Sequence, residues 1–201
     1  MAKKEALKKI KDEVLRLKGF TLCDERRKNN VYPVIGEGNH DACVMFIGEA
    51  PGEREAATGR PFCGKAGKIL DECLESIGFK RENAYVTNII KDRPPKNRDP
   101  LPEEIKVYAV FLDRQINIIK PKIIATLGRF STEYILKKFG MEERIMPISI
   151  LHGKPIDAKA DYGPIKILPL MHPAVAIYNR RKEEELKEGF SFLKENDYCN
   201  L

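Results

Sequence analysis

Four short segments of this chain bring together residue types that can hold and attack a small polar ligand. Gly48-Glu-Ala-Pro-Gly52 sets a carboxylate between glycines. Val86-Thr-Asn88 ends in a carboxamide and runs into Arg93-Pro-Pro-Lys-Asn-Arg-Asp-Pro100. Gly128-Arg-Phe-Ser131 and His172-Pro-Ala174 complete the set. Of the histidines His40, His152 and His172, it is His172 that follows an apolar run and precedes a proline. A carboxamide carries both a donor and an acceptor, so Asn88 can satisfy the edge of a flat heterocycle. Three of the four segments carry polar groups suited to such a ligand.

The elements that must position them can be read from periodicity. Residues 43–47 form an apolar run that stops at Gly48, as expected of a strand buried on both faces. Residues 84–90, 122–127 and 165–170 read the same way. Between them, residues 64–77, 102–119 and 130–139 show helical spacing, and an amphipathic helix at 2–18 and a charged closing helix at 181–194 flank the whole. Pro102 followed by Glu103 and Glu104 marks a helix start. The stretch with Cys23, Arg26, Arg27 and Lys28 reads as a loop, as does the stretch punctuated by Pro51, Gly52 and Gly59. Strands alternating with helices imply one α/β domain over residues 1–201, a three-layer α/β/α sandwich with a central four-stranded parallel sheet. Ligands of such sheets sit beyond the carboxyl ends of the strands, where the four segments fall.

Composition narrows the class of partner. The net charge is +6 and the pI about 9.0, a balance that suits a polyanion as well as it suits a solvated surface. There is no apolar run long enough to span a membrane and the first 18 residues lack a signal peptide's apolar centre, so a cytoplasmic monomer without membrane contact is expected. The five cysteines, Cys23, Cys43, Cys63, Cys73 and Cys199, include no CxxC pair and read as free thiols. Abundant Lys and Glu with no Trp fits a thermophile.

Gly48-Glu-Ala-Pro-Gly52, Gly59-Arg-Pro-Phe-Cys-Gly64, Val86-Thr-Asn88, Arg93-Pro-Pro-Lys-Asn-Arg-Asp-Pro100 and His172-Pro-Ala174, in this order, resemble the family-4, iron–sulfur type of uracil-DNA glycosylase over nearly the whole chain. The resemblance implies an enzyme that flips deoxyuridine out of double- or single-stranded DNA and hydrolyses its N-glycosidic bond, leaving an abasic site. It implies that Phe62 stacks on uracil, Asn88 pairs with N3 and O4, Glu55 crowds the C5 edge, and backbone N–H groups around Glu49 and Ala50 bind O2. His172 matches the catalytic histidine, whose hydrogen bond to O2 gains strength as negative charge develops there. Better-known relatives place an aspartate at the position of Ala50; Glu49 is the nearest carboxylate to position water. In the loop after His172, Ile177 or Tyr178 would enter the minor groove and Arg180 and Arg181 would lie near phosphates. Lys91, Arg93, Lys96 and Arg98 form a second basic strip.

The family usually carries a [4Fe–4S] cluster on four cysteines. The matching positions are Phe20, Cys23, Asp92 and Tyr108, so one thiol remains and no metal or other cofactor is expected. Packing of Phe20 and Tyr108, with Asp92 bonded to a nearby base, would replace the metal staple. Two other activities compete: removal of another deaminated base such as hypoxanthine, and non-catalytic binding of uracil-DNA.

Overall fold

The structure, a computed structural model, describes residues 2–179 and 181–195. Its strands are β1 (Glu37–Gly38), β2 (Val44–Gly48), β3 (Tyr85–Asn88), β4 (Ile123–Leu127), β5 (Ile156–Ala160) and β6 (Gly163–Leu170), lying side by side as β1-β3-β2-β4-β6-β5. The middle four are parallel, and the outer two pair antiparallel. The expected four parallel strands are therefore the centre of a mixed six-stranded sheet. β1 has two residues, too few to leave a period. β5 returns as a hairpin against β6, with Ile156, Ala158 and Ala160 alternating against the exposed Asp157 and Lys159. Charges on such a strand suit an edge, where they discourage pairing with other chains.

The helices are α1 (Lys3–Arg16), α2 (Thr21–Lys28), α3 (Glu53–Thr58), α4 (Lys65–Ser76), α5 (Pro102–Ile119), α6 (Arg129–Lys138), α7 (Ile148–Leu151), α8 (Val175–Tyr178), α9 (Lys182–Glu188) and α10 (Ser191–Glu195). Three of them correct the sequence reading, α8 by occupying part of the stretch after His172 that was read as a loop. α2 occupies a stretch read as a loop; it buries Leu22, Cys23 and Arg26, so a charged residue stands where helical periodicity wants an apolar one. α3 lies inside the Pro51–Gly59 loop and ends at Gly59, whose φ of 74° closes the helix in the left-handed region. The expected closing helix divides into α9 and α10 around Gly189. A Cβ on Gly189 would come within 2.1 Å of His152, so this turn packs directly on that ring.

Alternation along β2 divides the core. Met45 and Ile47 join Ile10, Val14, Leu112, Ile116 and Ile135 beneath α1, α5 and α6. Val44 and Phe46 join Leu70, Leu74, Leu186 and Phe190 beneath α4 and the C-terminal helices. Burying each such side chain contributes about 1.5–3 kcal/mol before chain entropy is counted. The sheet is thus clamped on both faces, and its strand ends are left free to carry polar groups. Among the described residues no helix is long and apolar enough to cross a membrane.

Candidate active site

β2 and β3 end in register, Gly48 opposite Asn88, and His172 follows two residues beyond the end of β6. A cavity of about 320 Å³ opens over these ends, lined by Glu49, Ala50, Glu55, Phe62, Asn88 and His172. All six expected catalytic and base-binding positions therefore meet in one place.

Gly48 makes the crowding possible. A Cβ there would stand 2.3 Å from Asn88 Oδ1 and 2.6 Å from Phe62 Cζ. Asn88 is buried, and its Oδ1 has no hydrogen-bond partner among the described residues. A buried acceptor left unpaired costs about 1–3 kcal/mol, so this oxygen is poised for a donor.

Phe62 adopts a φ of 47°, a left-handed conformation that a bulky residue avoids. The surrounding contacts hold it there. Arg81 donates to the carbonyls of Pro61 at 2.8 Å and Phe62 at 3.1 Å while paired with Asp71. Gly67 of α4 lies so close that a Cβ would meet Phe62 O at 1.8 Å. The Phe62 ring lies 5.8 Å from the His172 ring, centroid to centroid.

His172 is fixed as one tautomer. The N–H of Ala174 donates to Nδ1 at 3.1 Å, so the ring proton sits on Nε2 as a donor. Burial pulls the imidazole pKa down to about 4, opposed by the Glu55 carboxylate, so the ring is neutral at pH 7. Glu55 Oε1 accepts the N–H of Cys63 at 3.0 Å and of Gly64 at 2.8 Å, which anchors the carboxylate at the start of α4. Glu49 lines the same cavity and is half-buried. Burial and the Asp99 charge push its pKa up to about 7, against the pull of Arg129.

The cavity rim is only partly the basic strip that was expected. Pro94, Asn97 and Arg98 line it. Arg98 is held by both oxygens of Glu104, at 2.8 and 2.6 Å, and Arg93 by Asn97 and Glu53. Lys96 is exposed, but Lys91 is fully buried and belongs to the interior. Lys65, exposed at the first turn of α4, lines the cavity and was not singled out from the sequence; its place directly after the Gly59–Gly64 motif is the signal that marks it. Ile177 is exposed on α8 and Arg181 is exposed just before α9. Arg180 and the Tyr178 side chain lie outside the described residues.

Residues 35–194 match the family model described as the uracil DNA glycosylase superfamily. The chain belongs to that superfamily. It is 45% identical over 95% of its length to a type-4 uracil-DNA glycosylase of Sulfurisphaera tokodaii, of which the match covers 84%. The type-4 enzyme of Archaeoglobus fulgidus is 38% identical over 94% of each chain, and that of Thermotoga maritima 38% identical over 96% of this chain and 98% of its own.

The four-cysteine cluster that the sequence resemblance implies does not fit the residues present in this uracil DNA glycosylase superfamily member. Asp92 Oδ2 accepts the Tyr108 hydroxyl at 2.6 Å, and Asp92 Oδ1 accepts from Arg26 at 3.2 Å. Arg26 also donates to the carbonyls of Val14 and Leu15. The Cys23 thiol donates to the Phe20 carbonyl. Iron–sulfur ligation needs thiolates, and of the four positions only Cys23 offers one, while Asp92 and Tyr108 are bonded to each other. Among the described residues no group of three or more His, Cys, Asp or Glu could hold a metal ion. Phe20 corrects the expectation that it packs in place of the metal: it is 45% exposed, while Tyr108 is 1% exposed. A hydroxyl-bearing ring can be buried here because Asp92 satisfies it; Phe20 caps the short α2 from outside.

Proposed function

We propose that the protein excises uracil from DNA and does so without an iron–sulfur cluster. The observation that carries the reading is the unpartnered, buried Oδ1 of Asn88 beside Phe62 and the Nε2–H of His172. Uracil offers an N3–H donor to that oxygen. Cytosine offers an acceptor at the same place and would leave Oδ1 unpaired, which is a strong basis for rejection. Glu55, held beside the stacking ring, crowds the C5 edge and excludes the methyl group of thymine.

In the reaction the C1′–N1 bond breaks and its electron pair leaves with uracil. The oxygen of water bonds to C1′, and the proton it releases neutralises the departing anion. His172 donates Nε2–H to O2 as negative charge collects there, a contact stronger in the transition state than in the ground state. Glu49, when ionised, orients the water. Ile177 fills the place of the flipped base, with Lys96 and Arg181 along the phosphates.

The test is base release from a duplex with one U·G pair, together with duplexes carrying hypoxanthine or thymine. Wild type leaves an abasic site at uracil, and Asn88→Ala and His172→Ala each lose on the order of a hundredfold or more. Binding without release would make the chain a recognition protein, and release of hypoxanthine in preference to uracil would replace the substrate.

A further inference from the structure

Directly behind Asn88 the fold buries a lysine that does not line the cavity. Lys91 Nζ donates to Thr87 Oγ1 at 2.8 Å, to the Asn88 carbonyl at 2.6 Å and to Gln115 Oε1 at 2.6 Å. The Gln115 amide is oriented by its other end, which donates to Ile35 O at 2.8 Å and to the Tyr85 hydroxyl at 3.1 Å. Thr87 donates its own proton to Ile35 O at 2.7 Å, so its lone pairs face the lysine. Three oxygen acceptors thus surround Nζ. An ammonium has three N–H donors and matches them, whereas a neutral amine would turn its lone pair against one of the oxygens. Asp92, the next residue, has both oxygens turned to Tyr108 and Arg26.

We infer that Lys91 is a buried ammonium that positions Asn88 and holds a fixed positive charge behind the base as it departs as an anion. The inference rests on the glycosylase reading above. Burial pushes the Lys91 pKa down; hydrogen bonds that Nζ donates to three oxygen acceptors favour the charged form. A lysine that merely ties β3 to α5 through these hydrogen bonds would, when lost, slow release of every base alike. One whose charge acts on the reaction is different: in a dry interior a fixed charge reaches across several ångströms, and it favours the transition state in which the base carries negative charge. The poorer the leaving group, the more that charge matters.

The experiment compares Lys91→Met with wild type on duplexes carrying uracil or 5-fluorouracil opposite guanine, under single-turnover conditions. Fluorine makes the departing anion less basic. Lys91→Met should lose roughly a hundredfold on uracil but only about tenfold on 5-fluorouracil, with duplex affinity changed less than about threefold. Thr87→Val, which perturbs the same network without removing charge, should lose equally on both bases. Equal losses for Lys91→Met overturn the inference and leave the glycosylase reading intact, whereas a wild type that releases neither base defeats both. Should Lys91→Met not fold, the nitrogen-15 shift of Lys91 Nζ in wild type at pH 7 decides: an ammonium signal supports the inference and a neutral amine overturns it.

Discussion

Gly48 and Asn88 end neighbouring strands in register, with no room between them for even a methyl group on the glycine. The constraint is spatial, because Gly48 is not among the glycines with positive φ. A Cβ at Gly48 would displace both the Asn88 amide and the Phe62 ring, the two groups proposed to hold the base. Gly48→Ala should therefore slow uracil release by on the order of a hundredfold while costing about 1–3 kcal/mol of stability, the usual range for overpacking. Single-turnover rates and thermal melts check both halves. An alanine variant as fast as wild type would mean that neither side chain needs its observed place.

On the proposed mechanism, Glu49 sets the pH dependence of excision. With its pKa raised to about 7 by burial and Asp99, Glu49 becomes a carboxylate only as the pH rises through that value. Excision should climb across pH 6–8 and level off above, and Glu49→Gln should lower the plateau and abolish the climb. His172, with its pKa pulled down to about 4, stays neutral throughout this range and adds no inflection. The stability effects have opposite signs. For Glu49 the folded state holds its proton more tightly than the unfolded chain, so its contribution is full below about 4.5 and is lost as the pH rises through about 7. For His172 the unfolded chain binds the proton first, so its contribution is full above about 6.5 and is lost as the pH falls toward about 4. Melting temperatures of Glu49→Gln and His172→Ala from pH 4 to 8 should each lack one of these slopes. A rate that stays flat through pH 7 in wild type would remove Glu49 from the water-positioning role.

The catalytic end of the molecule was legible because its residues follow apolar runs. A continuous run such as residues 43–47 reveals a buried strand, and a parallel sheet brings strand ends together, so Gly48, Asn88 and His172 could be placed in one site before any coordinates. What stayed hidden was where charge goes inside. Lysine and arginine default to the surface, and no pattern in residues 84–98 shows that Lys91 turns inward while Lys96 turns out. α2 was missed for the same reason: Arg26 occupies its buried face, and the partner that permits this, Asp92, is 66 residues away. β1 and β5 were missed because two residues carry no period and five residues at an edge alternate too briefly.

That pair makes the last prediction. Arg26 and Asp92 are 4% and 0% exposed, and between them they join the end of α1, α2, the segment after β3 and, through Tyr108, α5. Of these, α2, the segment after β3 and α5 carry the positions at which a four-cysteine cluster would have been held. A buried ion pair contributes little net stability against an apolar alternative, but losing one partner leaves a charge with nothing to answer it. Asp92→Ala should cost about 3–5 kcal/mol, and Tyr108→Phe about 1–3 kcal/mol for the lost hydrogen bond. Arg26→Met combined with Asp92→Leu should cost less than Asp92→Ala alone, because no ion is then stranded. Freshly purified wild type should show no iron above background and no visible absorption, and a chelator should leave its melting temperature unchanged. Stoichiometric iron, or a double variant worse than the sum of its singles, would mean that the polar cluster is not what holds these segments together.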